Sequence, residues 1–406
     1  MKCFSVRGMG CVNEIGWLRD KIEVACDTSA CFSKNLSKKL SNKFSNKTML
    51  WLPVQAIILF MISNVQADTS IQASRFPITV GAYGAIIDQD YGYAHNASAD
   101  MVIIHPQKTH ESAEYLTRKG LLVRYKDAKA TVLISHGFMC DKYLSGFLRY
   151  MFPQGQYNFM TFDFRAHGED IQGQHCTFGR DEAYDVIAAA KFLRNHPDLQ
   201  GKPLFAYGFS MGAVASIEAQ AKDGSLFDAM ILDCPFDKTE NVIKFGLSKM
   251  KMSVLGYEFD MPGVSILEKY AFHPYVQSML KVWLKVVSHM ETQNIVTDIQ
   301  PLSPVESIKL VNVPCFFIHC KNDDRVPIIA VKSMYEGACG YKKLWLTEGR
   351  GHFDSFFYSP ERYSQQVKDF LGQALQGGLV VGDAVIDDDS DVRDKKEKMK
   401  ITVANI

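Results

Sequence analysis

Eight short apolar runs constrain this chain more than anything else in it. They are "DMVIIH" (100–105), "GLLVRY" (120–125), "ATVLISHG" (130–137), "YNFMTFDF" (157–164), "PLFAYG" (203–208), "DAMILDCP" (228–235), "VPCFFIHC" (313–320) and "KLWLTEG" (343–349). Several are nearly unbroken Val, Ile, Leu and Phe. A strand with one wet face alternates apolar with polar residues, so unbroken runs predict strands buried on both faces of a mostly parallel sheet. Parallel strands need crossovers. Helical patterns at "DEAYDVIAAAKFLRNH" (181–196), "MGAVASIEAQAK" (211–222) and "IIAVKSMYEGA" (328–338) supply them. "SPERYSQQVKDFLGQALQ" predicts a closing amphipathic helix, with Ser359 as its cap and Pro360 at its first position. The fold class is therefore α/β, a central sheet with helices on both faces.

The chain has 406 residues, and Lys+Arg and Asp+Glu total 45 each. That balance gives no electrostatic footprint for nucleic acid. Residues 1–67 read differently from the rest. A polar, basic stretch with Lys34, Lys38, Lys39, Lys43 and Lys47 precedes "MLWLPVQAIILFMI", an apolar run of about 14 residues. Val65 and Ala67 follow as small residues. These are the parts of a secretory signal, predicting cleavage after Ala67 and a periplasmic or secreted product; retained, the same run is a membrane anchor, and a soluble element is the third reading. Cys140, Cys176, Cys234, Cys315, Cys320 and Cys339 lie beyond Ala67. They are compatible with export, and the sequence selects no pairing among them.

The globular domain is expected over 68–376. Nearly eighty residues separate "DCPF" from "VPCFF", too many for a structureless loop in a compact domain. They predict a helical insertion over about 237–300, a cap over the site. The charged stretch 377–406, with "DDDSD" and "RDKKEKMK", reads as a solvated, flexible tail.

Chemistry is concentrated at strand ends. "YGFSMGAVAS" (207–216) sets Ser210 between Gly208 and Gly212, after an apolar run and before a helical one. That pattern describes a tight strand-to-helix turn with an exposed serine at its apex. Acyl transfer by serine also needs a base, an acid to orient it and donors for the oxyanion. Asp323 and Asp324 follow one strand and His352 follows the last, giving the order Ser, Asp, His. The N–H groups of Phe138, in "SHGF", and Met211 are the candidate oxyanion donors. There is no H-E-x-x-H, no CxxC pair with zinc spacing and no phosphate loop, so neither metal nor cofactor is implied.

From about residue 100 to 376 the chain resembles the α/β-hydrolase superfamily, in particular the bacterial prolyl-oligopeptidase-like and serine-aminopeptidase-like hydrolases. "GFSMG", "SHGF", "FDFRAHGED" and "HCKNDDRVP" carry the likeness. The family's acid motif reads H-G-x-x-D-x-x-V-P. Counting back from Val326 and Pro327 assigns the acid to Asp323 and leaves Asp324 a bystander; Cys320 replaces the usual glycine. The likeness gives His167 a structural role. It implies the fold and the triad but does not select the substrate; the whole sequence reads as an exported serine hydrolase of carboxylic esters or thioesters with a small-molecule acyl substrate. A peptidase and an acyltransferase are alternatives on the same triad, and a non-catalytic binding scaffold is the reading of a different class.

Overall fold

In a computed structural model the described residues are 97–104, 117–152, 155–168, 174–248, 251–254, 257–260, 269–270, 272–273, 296–379 and 382–388. The signal or anchor expected within 1–67 and most of the expected cap lie outside them. Among the described residues, no helix is long and apolar enough to cross a membrane. The chain forms two compact units: residues 1–66 with 252–257, of which only 252–254 and 257 are described, and residues 67–251 with 258–406.

All eight apolar runs form strands of one sheet in the second unit. They are β1 (Ala97–Ile104), β2 (Arg118–Tyr125), β3 (Ala130–Ser135), β4 (Tyr157–Phe162), β5 (Leu204–Phe209), β6 (Ala229–Asp233), β9 (Cys315–Cys320) and β10 (Lys342–Thr347). A ninth strand, β11 (Asp383–Asp387), completes it. The spatial order is β1-β2-β4-β3-β5-β6-β9-β10-β11. β2 runs antiparallel to both neighbours, and every pairing from β4 to β11 is parallel.

The reason for unbroken apolarity is visible strand by strand. On β3, Val132 and Ile134 belong to one buried cluster and Leu133 to the other. On β5, Phe205 and Tyr207 alternate with Leu204 and Ala206 in the same way. One face is covered by α1 (Glu182–Asn195), α2 (Met211–Lys222) and α4 (Ile328–Gly337). The other is covered by α5 (Pro360–Leu375), through Tyr363, Val367, Phe370 and Leu371, and by a 3-10 helix over Leu144–Met151. Ser359 does stand before α5 with Pro360 at its start, but its hydroxyl makes no capping bond.

Two expectations need correction. The insertion is not wholly helical: α3 (Thr239–Ser248) is followed by the strands β7 (Lys251–Val254) and β8 (Tyr257–Asp260). "KMSV" and "YEFD" set alternate apolar residues at a period of two, which suits extended chain. The tail expected from residue 377 is not all flexible either. β11 pairs with β10, Asp383 opposite Lys342 and Asp387 opposite Leu346. Lys321 bridges to Asp387 at 2.5 Å, and the buried Trp345 donates its indole N–H to Asp388 at 2.9 Å. The acidic residues that suggest a solvated tail are partners for cations at this sheet edge.

The strand order reverses between β3 and β5, whose chain neighbours lie on opposite sides of them. In open α/β sheets such a reversal parts the connecting loops at the carboxyl ends and leaves a crevice there.

Candidate active site

Ser210 follows β5 directly, at that reversal. Its backbone has φ 53° and ψ −121°, a conformation costing an L-residue on the order of 1–3 kcal/mol. Two glycines make the turn possible. A Cβ on Gly208 would lie 2.7 Å from the backbone of Ala213, and one on Gly212 would collide with the carbonyl oxygen of Ser135. The Ser210 N–H donates to the Asp233 carbonyl at 2.8 Å, tying the turn to the end of β6.

His352, in the loop after β10, brings Nε2 to 2.9 Å from Ser210 Oγ. Its Nδ1 lies 2.7 Å from Asp323 Oδ2. The other carboxylate oxygen of Asp323 accepts the N–H groups of Arg325 and Val326, each at 2.8 Å. Burial opposes ionisation of Asp323, but His352 and these donors hold its carboxyl below the usual range. Ser210, Asp323 and His352 are therefore brought together. Asp324 is exposed, on the neighbouring position of the same turn.

Phe138 and Met211 flank the serine from β3 and α2. Among the described residues, no hydrogen bond uses the backbone N–H of either, so both donors remain available. The loop carrying Phe138 is fixed from beneath. His136 is fully buried, and burial pushes its pKa down to about 3. Its Nε2 accepts the Phe164 N–H at 3.1 Å, which leaves its proton on Nδ1, donated to the Gly137 carbonyl at 2.8 Å. Lys142, also fully buried, pairs with Asp163 at 2.7 Å and sends its backbone N–H to the other oxygen of that carboxylate. His167 is buried with Nδ1 2.8 Å from the Arg165 carbonyl, edge-on to Phe138; it does not reach Ser210.

Sequence alone offers Asp233 only as the alternative to Asp323 for the acid, and it does not find the contacts of Cys234, Tyr363 and Tyr207. Cys234 Sγ lies 3.7 Å from His352 Nε2. Asp233 is fully buried and accepts the Tyr363 hydroxyl at 2.7 Å, which in turn meets the Tyr207 hydroxyl at 2.7 Å. No local spacing signals these contacts, because β6, β10 and α5 supply the partners from distant parts of the chain. Apolar rings surround the rest: Phe353 stacks on Phe209 at 4.2 Å, and Phe138 lies 4.8 Å from Phe178.

The chain belongs to the alpha/beta hydrolase family, whose model matches residues 132–366, and it is a hydrolase by that membership. It is 27% identical over 259 residues to the uncharacterized protein YqkD of Bacillus subtilis, covering 62% of this chain and 74% of that one. Among solved structures it is similar to the Pyrococcus furiosus esterase Pf2001, with a TM-score of 0.51 at 22% identity over 71% of this chain and 95% of that one. It is also similar to a 2,6-dihydroxy-pseudo-oxynicotine hydrolase, with a TM-score of 0.51 at 14% identity, over 73% and 74% of the two chains.

Proposed function

We propose that this hydrolase is a serine esterase or thioesterase that works through an acyl-enzyme. The observation that carries the reading is one continuous relay, Ser210 Oγ to His352 Nε2 at 2.9 Å and His352 Nδ1 to Asp323 Oδ2 at 2.7 Å. His352 takes the serine proton as Oγ attacks the carbonyl carbon, and Asp323 fixes the tautomer that leaves Nε2 free to do so. The N–H groups of Phe138 and Met211 receive the oxyanion. His352 then protonates the leaving alcohol or thiol, and the same cycle with water releases the acid.

An ester is favoured over a peptide by the apolar rings that flank the serine and by the esterase named among the structural relatives. The test is labelling with a fluorophosphonate, beside hydrolysis of p-nitrophenyl esters of graded chain length and of aminoacyl-anilides. Ser210→Ala should lose labelling and turnover while keeping the far-UV spectrum of the parent, and His352→Ala should lose about as much, since the members act as a unit. Full turnover in either variant would remove the assignment. Faster anilide than ester cleavage would move the reading to a peptidase.

A further inference from the structure

Cys234 has no part in acyl transfer, yet its thiol shares the imidazole nitrogen that the serine uses. Sγ of Cys234, a carboxylate oxygen of Asp323 and a ring nitrogen of His352 all lie within 4.8 Å of one another. Tetrahedral coordination with a metal–sulfur bond of about 2.3 Å and a metal–nitrogen bond of about 2.0–2.1 Å separates the two donor atoms by roughly 3.6 Å. The observed separation of Cys234 Sγ and His352 Nε2 is 3.7 Å.

A second observation points the same way. A metal-bound histidine generally donates its other ring N–H to a carboxylate, which fixes the tautomer and raises the basicity of the ligand nitrogen. His352 has that arrangement, with Nδ1 2.7 Å from Asp323 Oδ2 and Nε2 turned toward Ser210 and Cys234. The donor set is one sulfur, one imidazole and one hydroxyl. Thiolate with imidazole selects zinc-like cations over hard, oxygen-seeking ones such as magnesium or calcium. Ser210 and His352 are partly exposed, so the ligands can be reached from solvent although Cys234 is buried.

We propose that Cys234 Sγ, His352 Nε2 and Ser210 Oγ form an inhibitory site for a thiophilic divalent cation of the zinc class. On binding, the Cys234 thiol loses its proton to solvent and Sγ and Nε2 each give a lone pair to the cation. The Ser210–His352 hydrogen bond is replaced, so the base is no longer free to activate the serine. The inhibition rests on the serine-nucleophile reading above; the cation site itself does not.

The experiment uses the full chain, freed of metal by chelation, and follows the rate of fluorophosphonate labelling with and without Zn²⁺. The parent, Cys234→Ala and Cys339→Ser are compared, the last because Cys339 is an exposed thiol ahead of β10, at the opposite end of that strand from His352. Micromolar zinc should slow labelling of the parent and of Cys339→Ser, and a chelator should restore it. Cys234→Ala should need at least roughly tenfold more zinc for the same slowing. In parallel, Co²⁺ should give a thiolate charge-transfer band in the parent and in Cys339→Ser but none in Cys234→Ala, or in Cys234→Ser if the alanine variant does not fold. Equal zinc sensitivity of parent and Cys234→Ala, zinc-resistant labelling of the parent, or a cobalt band indifferent to Cys234 would overturn the proposal. Failure of the metal-free parent to label would instead overturn the nucleophile reading, and the cobalt band would still decide the site.

Discussion

Two aspartates stand at the carboxyl ends of neighbouring strands, Asp233 closing β6 and Asp323 three residues past β9, and their protonation is pushed in opposite directions. Both are buried, and burial by itself raises any carboxyl. What separates them is the donor set. Asp323 sits in a turn whose Arg325 and Val326 N–H groups point at one oxygen while His352 meets the other, and its carboxyl stays below the usual range. Asp233 accepts the Tyr363 hydroxyl at 2.7 Å, with the Tyr207 hydroxyl and the Cys234 thiol as weaker neutral donors and no backbone N–H aimed at it; its Oδ1 has no hydrogen-bond partner among the described residues. Burial therefore pushes it up to about 7, with the nearby Asp323 charge adding to the rise. A loop with converging N–H groups makes an anion; a buried strand end met only by neutral side-chain donors keeps its proton up to about pH 7.

The largest test of that contrast is kinetic. Asp323→Asn should lower kcat by on the order of 10⁴, the magnitude seen when a triad acid loses its charge and the histidine its tautomer. Asp324→Asn, on the exposed side of the same turn, should change kcat by less than about tenfold. Asp233→Asn should also stay within about tenfold, because Asp233 touches the machinery through its backbone carbonyl, which the substitution keeps. Steady-state rates on one p-nitrophenyl ester decide all three. A large loss in Asp233→Asn with a small one in Asp323→Asn would reverse the comparison.

The next effect is on stability, and its sign follows from the shift. Below about pH 3.8 Asp233 is protonated both folded and unfolded, and it contributes no pH dependence. As pH rises toward about 7 the unfolded chain ionises it while the folded chain keeps its proton, so the folded state loses stability steadily. Above about 7 both forms are ionised and the loss levels off. An asparagine side chain at this position has no proton to lose and accepts the Tyr363 hydroxyl as the neutral acid does. Asp233→Asn should therefore match the parent at low pH and exceed it by up to about 4 kcal/mol above neutrality. Urea unfolding at a series of pH values measures this; a constant difference across the series would mean that folding does not shift the pKa of Asp233.

The two aspartates also show where sequence is legible. Asp323 and His352 could be read because each follows an apolar run that ends at the same edge of a parallel sheet, and Ser210 because its turn demands Gly208 and Gly212 locally. The eight runs were legible for a related reason: a strand buried on both faces needs apolar residues at successive positions, whatever lies next to it. β11 was not, because "DAVID" is an edge strand whose Asp387 is paired by Lys321 and whose backbone is paired by β10, partners that only the fold supplies. Asp233 ends an apolar run at that same edge and so reads as the alternative acid, whereas Cys234 and Tyr363 are ordinary core residues by composition. Their chemistry arises from contacts across 118 and 130 positions of chain, and no spacing rule reaches that far.

The smallest effect sharpens the account of Asp233 itself. Tyr363 is fully buried, its hydroxyl donating to Asp233 Oδ2 and meeting the Tyr207 hydroxyl, each at 2.7 Å. Tyr363→Phe keeps the ring packed against Trp345 and Phe356 but leaves the Tyr207 hydroxyl and the carboxyl without that partner. An orphaned buried polar group costs about 1–3 kcal/mol, so the variant should lose roughly that much at low pH, and more above about pH 7. It should also lose the main donor that favours the anion at position 233. The pH at which the stability curve levels off should then move above about 7, to a value that the same urea series reads directly. A lower plateau pH in Tyr363→Phe would mean that the hydroxyl holds the proton on Asp233 rather than drawing it off, and the explanation of its high pKa by a sparse donor set would fail.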